Sequence, residues 1–88
     1  MLIKTSKGNI FNVNWVWGPL MGTRQMMIDM QDTRSVSEIA QDFEGCQTIE
    51  KTDERRDGVK EIYEGYTELV SVTLERATGT ARITLEKA

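Results

Sequence analysis

No histidine occurs in the 88 residues, and cysteine and proline occur once each. Histidine is the side chain most often used for proton transfer near neutral pH, so its absence removes the usual hydrolytic triads. A lone Cys46 cannot close an internal disulfide. Small secreted domains are usually held by several, so cytoplasmic synthesis and residence are expected. No apolar run approaches the roughly 20 residues of a membrane span, and residues 1–8 hold no apolar core of signal-peptide length. A membrane is therefore not an expected partner. Basic side chains are outnumbered, eleven against fourteen acidic, for a net charge of −3. That balance opposes the phosphate attraction behind nonspecific nucleic-acid binding, so DNA and RNA are not expected partners either.

What is present is a hydrophobic fraction of 39% and a charged fraction of 28%, ordinary values for one folded domain spanning residues 1–88 with a thin core. The most apolar stretch is Ile10-Phe11-Asn12-Val13-Asn14-Trp15-Val16-Trp17, which holds both tryptophans and one of the two phenylalanines. At period two, Phe11, Val13, Trp15 and Trp17 share one face, as a strand covered mainly on one side requires. Each ring can bury roughly 150–250 Å², so this face is expected to point inward.

Around this strand the chain reads in order. Leu2 to Thr5 forms a short strand, and Ser6-Lys7-Gly8-Asn9 is turn chemistry leading into an opening hairpin. Gly18-Pro19 ends the tryptophan strand and Gly22 reverses the chain. Met26, Ile28 and Met30 alternate in a third strand, with thioethers expected beside the indoles. After a break at Asp32-Thr33-Arg34, Ser35 and Glu38 fit a capping box for a short amphipathic helix over about residues 36–44, with Val36, Ile39, Ala40 and Phe43 in one stripe and Gly45 as its stop. So short a helix needs a sheet beneath it and is expected to act as a lid or plug. Cys46 to Thr52 reads as a polar edge strand, and Asp53-Glu54-Arg55-Arg56-Asp57-Gly58 as a charged hairpin tip. Val59 to Gly65 places Ile62 and Tyr63 on opposite faces and leaves the inner side open. Val70, Val72 and Leu74 share a face of the next strand, which pairs through Ala77-Thr78-Gly79 with a last strand carrying Ala81, Ile83 and Leu85. The fold class is mainly β, α+β by strict count: six to seven mostly antiparallel strands in a small sandwich or partly closed barrel, with one helix between strands 3 and 4.

Chemistry-bearing groups are few. Cys46 follows the C-terminal end of the helix, where the dipole disfavours a thiolate, so it reads as structural. Asp29, Asp32, Glu38, Asp42 and Glu44 are close in sequence, but their spacing matches no calcium loop and fits caps and a solvated face. A carboxylate hydrolase needs two facing carboxyls about 5–10 Å apart. No thiol or imidazole cluster suits zinc. Gly18 to Gly22 contains a proline and lacks a following Lys-Ser or Lys-Thr, which makes it a turn and not a phosphate cradle. Arg55-Arg56, flanked by acids, reads as a self-neutralising tip. No catalytic residue, metal site or cofactor is expected. Trp15 and Trp17, with Tyr63 and Tyr66, are the residues available for an interaction or ligand face.

The run Gly8-Asn9-x-Phe11-x-Val13-x-Trp15-x-Trp17-Gly18, followed by Ser37-Glu38-Ile39-Ala40-x-Asp42-Phe43-Glu44-Gly45 and Tyr63-x-Gly65-Tyr66, resembles small uncharacterised proteins encoded in prophage regions of Gram-positive gut bacteria, accessory to the tail or structural gene module. The resemblance implies an interaction role, with no catalytic residue to transfer, and incorporation into a phage particle. The leading expectation is a non-enzymatic structural or adaptor protein acting on protein partners, self-association included, through sheet edges and an apolar patch. The competing expectation is a small module that binds a carbohydrate or other planar ligand on the Trp15/Trp17 face. Buried indoles favour the first and exposed ones the second.

Overall fold

Alternating apolar residues and glycine turns generate a sheet whose register is visible in a computed structural model describing residues 1–18, 23–31 and 34–88. The expected stop at Pro19, the reversal at Gly22 and the Asp32-Thr33 part of the break lie outside the described residues. Strands β1 (Leu2–Thr5), β2 (Ile10–Trp17) and β3 (Gln25–Gln31) precede the helix α1 (Val36–Phe43). Strands β4 (Thr48–Asp53), β5 (Val59–Glu64), β6 (Glu68–Glu75) and β7 (Thr80–Glu86) follow it, with one 3-10 turn, Glu54–Arg56, between β4 and β5. All pairings are antiparallel, in a single sheet of order β5-β4-β1-β2-β3-β7-β6. No helix among the described residues is long and apolar enough to cross a membrane.

The two edge strands, β5 and β6, are consecutive in the chain and joined by Gly65-Tyr66-Thr67 alone. So short a link brings the two ends of the sheet together at one corner, and the sheet rolls without closing. The corner is tied by hydrogen bonds from Gly65 N–H to the Gln47 carbonyl and from Ala88 N–H to the Gly65 carbonyl. Tyr63 and Tyr66 fill it, both buried, with ring centroids 6.4 Å apart at 73°. They belong to the core and not to an interaction face, because the link that turns β5 into β6 folds both rings inward.

α1 closes the open side as a plug. The Ser35 hydroxyl caps it by accepting from Glu38 N–H, and Gly45 leaves it at φ 70°, a left-handed conformation that a side chain would strain. Ile39 and Phe43 are fully buried, and the Phe43 ring lies 5.2 Å from that of Phe11. Val36, at the first turn, stays largely exposed. Lys7 donates from Nζ to the Gln41 and Glu44 carbonyls, satisfying acceptors that the helix end leaves open.

Two bulges decide which side chains reach this core. Along β2, Val13 pairs with Met30, but Trp15 pairs with Asp29, so Asn14 is an extra residue in the ladder. One inserted residue shifts the side-chain phase by one position, and every residue beyond it changes face. Phe11 and Val13 are buried, Val16 packs partly against the core, and Trp15 and Trp17 emerge on the outside, 60% and 37% exposed. The inward face expected for the tryptophans is thereby overturned. The buried thioethers Met26 and Met30 lie on the other side of the sheet, and the methionine paired with an indole is Met27, opposite Trp17. In β6 a second irregularity between Leu69 and Ser71 leaves Val70 exposed while Leu69, Val72 and Leu74 pack inward, so Val70 does not share their face. β4 is also not an edge: it lies between β1 and β5.

β2 thus serves both halves of the sheet. Its first half pairs with β1 at Ile10–Asn12, its second with β3, and a bulged strand that passes between half-sheets is how sandwich corners are made.

Candidate binding face

The bulge at Asn14 has two effects on the surface. It turns the indoles outward, and it falls where the ladder to β1 ends, the last link being Val13 N–H to the Met1 carbonyl. From Asn14 to Trp17, β2 is paired with β3 alone. The unpaired side of this segment opens on a cleft of about 710 Å³ lined by Met1, Val13, Asn14, Trp15, Asp29, Asp53, Arg55, Arg56 and Thr80. A smaller hollow of about 260 Å³ shares Met1, Trp15, Asp53 and Arg56 with it and reaches Lys51, Val59 and Glu61.

The two indoles stand close together, with centroids 6.3 Å apart and planes within 23° of parallel. Neighbouring strands hold them in place. Asp29, across from Trp15, pairs through Oδ2 with Arg82 Nη2 at 3.5 Å, and the Arg82 guanidinium lies 5.7 Å from the Trp17 centroid. A guanidinium over an indole is attracted by the ring quadrupole and covers part of it, which accounts for the lower exposure of Trp17. Asp29 Oδ1 is sealed from solvent without a hydrogen-bond donor among the described residues. The pair is amphipathic: flat apolar rings set among Asn14, Asp29, Thr80 and Arg82.

Across the cleft the β4–β5 hairpin supplies charge. The Asp53 carboxylate accepts from Arg55 N–H and so caps the 3-10 turn, and Asp57 completes the reversal at φ 54°. Arg55 and Arg56 carry no ion pair to a described residue, and both line the cleft. The tip is solvated, with the acids Glu54 and Asp57 beside the two arginines, and the Asp53 carboxylate is turned to the backbone of its own turn. Behind them Lys51 and Glu61 pair at 3.4 Å, and the Tyr63 hydroxyl donates to Glu61 Oε2 at 2.8 Å. That hydrogen bond first, and then the Lys51 charge, hold the Glu61 carboxyl below its usual range, with a smaller contribution from Arg56. Burial and the same hydrogen bond push the Tyr63 phenol up.

The other sequence candidates have structural duties. Cys46 is buried, its thiol donating to the Thr48 carbonyl at 3.1 Å and lying 3.4 Å from the Ser6 hydroxyl. Asp42 accepts from Asn9 Nδ2 and pairs with Arg34 at 3.3 Å, while the Arg34 guanidinium covers the Phe11 ring at 3.9 Å. Asp32 lies outside the described residues. Among those described, no three Cys, Asp or Glu side chains gather in a way that could hold a metal ion. Sequence reasoning missed the part played by Asp29, Arg55, Arg56 and Arg82 at this face. The available signal was Val16, an apolar residue between the indoles that a single unbroken alternation would have left in solvent. Comparison with protein-family models, with curated proteins and with solved structures finds no match.

Proposed function

We propose that the protein is a non-enzymatic binding module that takes a saccharide or similar ring-shaped ligand on the Trp15/Trp17 face. The exposure of two near-parallel indoles carries this reading. A chain with so thin a core gains stability by burying its largest side chains, yet both tryptophans are turned outward by the Asn14 bulge. Apolar ring faces with polar groups at their margin suit the C–H faces and hydroxyls of a sugar, and a strand holds them more rigidly than a loop would. Titration with soluble oligosaccharides, followed by tryptophan emission and calorimetry, tests the reading. Binding should be lost in Trp15→Ala without loss of stability, and retention of full affinity in that variant would overturn it.

The adaptor reading has its own support at the edge strand β6. Leu69 to Leu74 carries no charge or proline, and Val70 is half exposed, whereas edges are commonly guarded by such residues. A peptide strand from another protein, or from a second copy, would pair there. Val70→Lys should abolish any association through this edge, as measured by light scattering across a range of concentrations. The prophage resemblance adds a place in a tail assembly. Finding the protein in purified particles from a producing cell tests that.

A further inference from the structure

Among the described residues, most of the cationic side chains are committed. Lys51, Lys60, Arg34 and Arg82 pair with Glu61, Glu50, Asp42 and Asp29, and Lys7 and Arg24 donate to backbone carbonyls. Arg55 and Arg56 differ from these. They are adjacent, without an ion pair, and held on a short capped turn that faces Trp15 across the 710 Å³ cleft. In a chain with fourteen acidic and eleven basic side chains, two neighbouring guanidiniums without an ion pair run against the charge balance. Of the acids around them, Asp53 accepts from Arg55 N–H, Asp29 pairs with Arg82 and Glu61 with Lys51 and Tyr63, while Glu54 and Asp57 flank them on the exposed turn without forming an ion pair. No described carboxylate lies within ion-pair distance of either fork, which leaves both open to a carboxylate from outside the chain.

We infer that the cleft selects an acidic saccharide, a uronic-acid sugar whose ring lies on the Trp15 indole while its carboxylate is held by Arg55 and Arg56. This rests on the reading of Trp15 as the ring-binding surface. Guanidinium forks match a carboxylate in charge and planar geometry, and the bonds so formed are stronger than those between neutral groups. The unpaired backbone of Asn14–Trp17 and the Asn14 amide are left to contact hydroxyls. A nearly neutral pair of walls also explains how a protein of net charge −3 admits an anion: attraction is confined to the cleft and is short-ranged at ordinary ionic strength.

Matched pairs of oligosaccharides test this, each uronic-acid oligomer set against its carboxyl-reduced neutral form and titrated by calorimetry into the whole chain and its variants. The acidic member should bind at least about tenfold more tightly at low salt, an advantage that shrinks as salt is raised. In the double variant Arg55→Gln, Arg56→Gln the acid-to-neutral ratio should fall to about one, and Trp15→Ala should lose both members. Equal affinity for the two members, both lost in Trp15→Ala, would overturn the acidic selectivity and leave the ring-binding reading standing. Failure of both to bind would overturn the two together. Acid binding that survives Trp15→Ala would also overturn the inference, since the arginines would then act without the ring. Circular dichroism and thermal midpoints of the variants, expected to match the parent because all three residues are exposed at the cleft, keep a folding defect from passing as lost binding.

Discussion

Both halves of β2 carry large aromatic side chains, and these meet opposite fates. Before Asn14 the strand pairs with β1 at Ile10–Asn12 and reaches β3 only at Val13, and Phe11 and Val13 are sealed in the core. Beyond Asn14 it keeps only β3, and the two largest side chains of the protein stand in solvent beside a cleft. Hydrophobicity alone therefore does not decide burial. The ladder decides which face a residue takes, and one extra residue reassigns all that follow.

Substitutions on either side of the bulge should show this contrast. Phe11→Ala removes a ring enclosed by Phe43 and Arg34 and should cost about 3–5 kcal/mol in chemical denaturation. An unchanged denaturant midpoint would mean that the first half is not packed as described. Deleting Asn14 takes out the inserted residue, so Trp15 follows Val13 directly and plain alternation keeps Val16 inward and both indoles outward. Tryptophan emission should therefore stay at long wavelength. A shift to shorter wavelength in the deletion variant would show that Asn14 is not the residue that sets the phase.

The wall facing the second half supplies a smaller, pH-dependent effect. The Tyr63 phenol ionises later in the folded chain than in the unfolded one, because burial and the Glu61 carboxylate oppose its charge. Below the ordinary tyrosine value of 10.0 its contribution is fully present, and above it the unfolded chain releases a proton that the folded chain retains. Stability should therefore fall as pH rises past that value. Tyr63→Phe should remove this dependence while costing about 0.5–1.5 kcal/mol at neutral pH. An alkaline limb that persists unchanged in Tyr63→Phe would assign it to another group. At the bottom of the scale, Trp15→Ala should change stability by no more than about 0.5 kcal/mol despite removing the largest type of side chain. A cost near that of Phe11→Ala would erase the distinction between the two halves.

Local rules made a good part of the fold legible before any coordinates. The opening and closing hairpins, the β3 face of Met26, Ile28 and Met30, the Ser35 cap and the Gly45 stop follow from neighbours within a few residues, and the structure contains all of them. The errors lie where a residue's position depends on its partner strand and not on its own neighbours in the chain. β4 looks like an edge because its outward side chains are polar, yet β1 pairs with it through Thr5 opposite Ile49. The bulges at Asn14 and near Val70 arise from mismatched ladders and leave little trace in composition. Of the four aromatic residues expected at an interaction face, the tryptophans are exposed, whereas Tyr63 and Tyr66 are enclosed at the corner where β5 turns into β6. The cleft arginines escaped notice because acids adjacent in sequence need not be partners in space: Asp53 serves the backbone of its own turn.

Quenching of tryptophan emission tests the outward turn of β2 most directly. With iodide and with neutral acrylamide, the parent and the single-tryptophan variants Trp15→Phe and Trp17→Phe should emit at long wavelength and be readily quenched at every protein concentration. Trp15, the indole left in Trp17→Phe, should be the more accessible, and Trp17 should be the more protected because Arg82 partly covers it. Short-wavelength emission from Trp15 that resists both quenchers in a dilute monomer would contradict the account, since the second half of β2 would then face inward like the first.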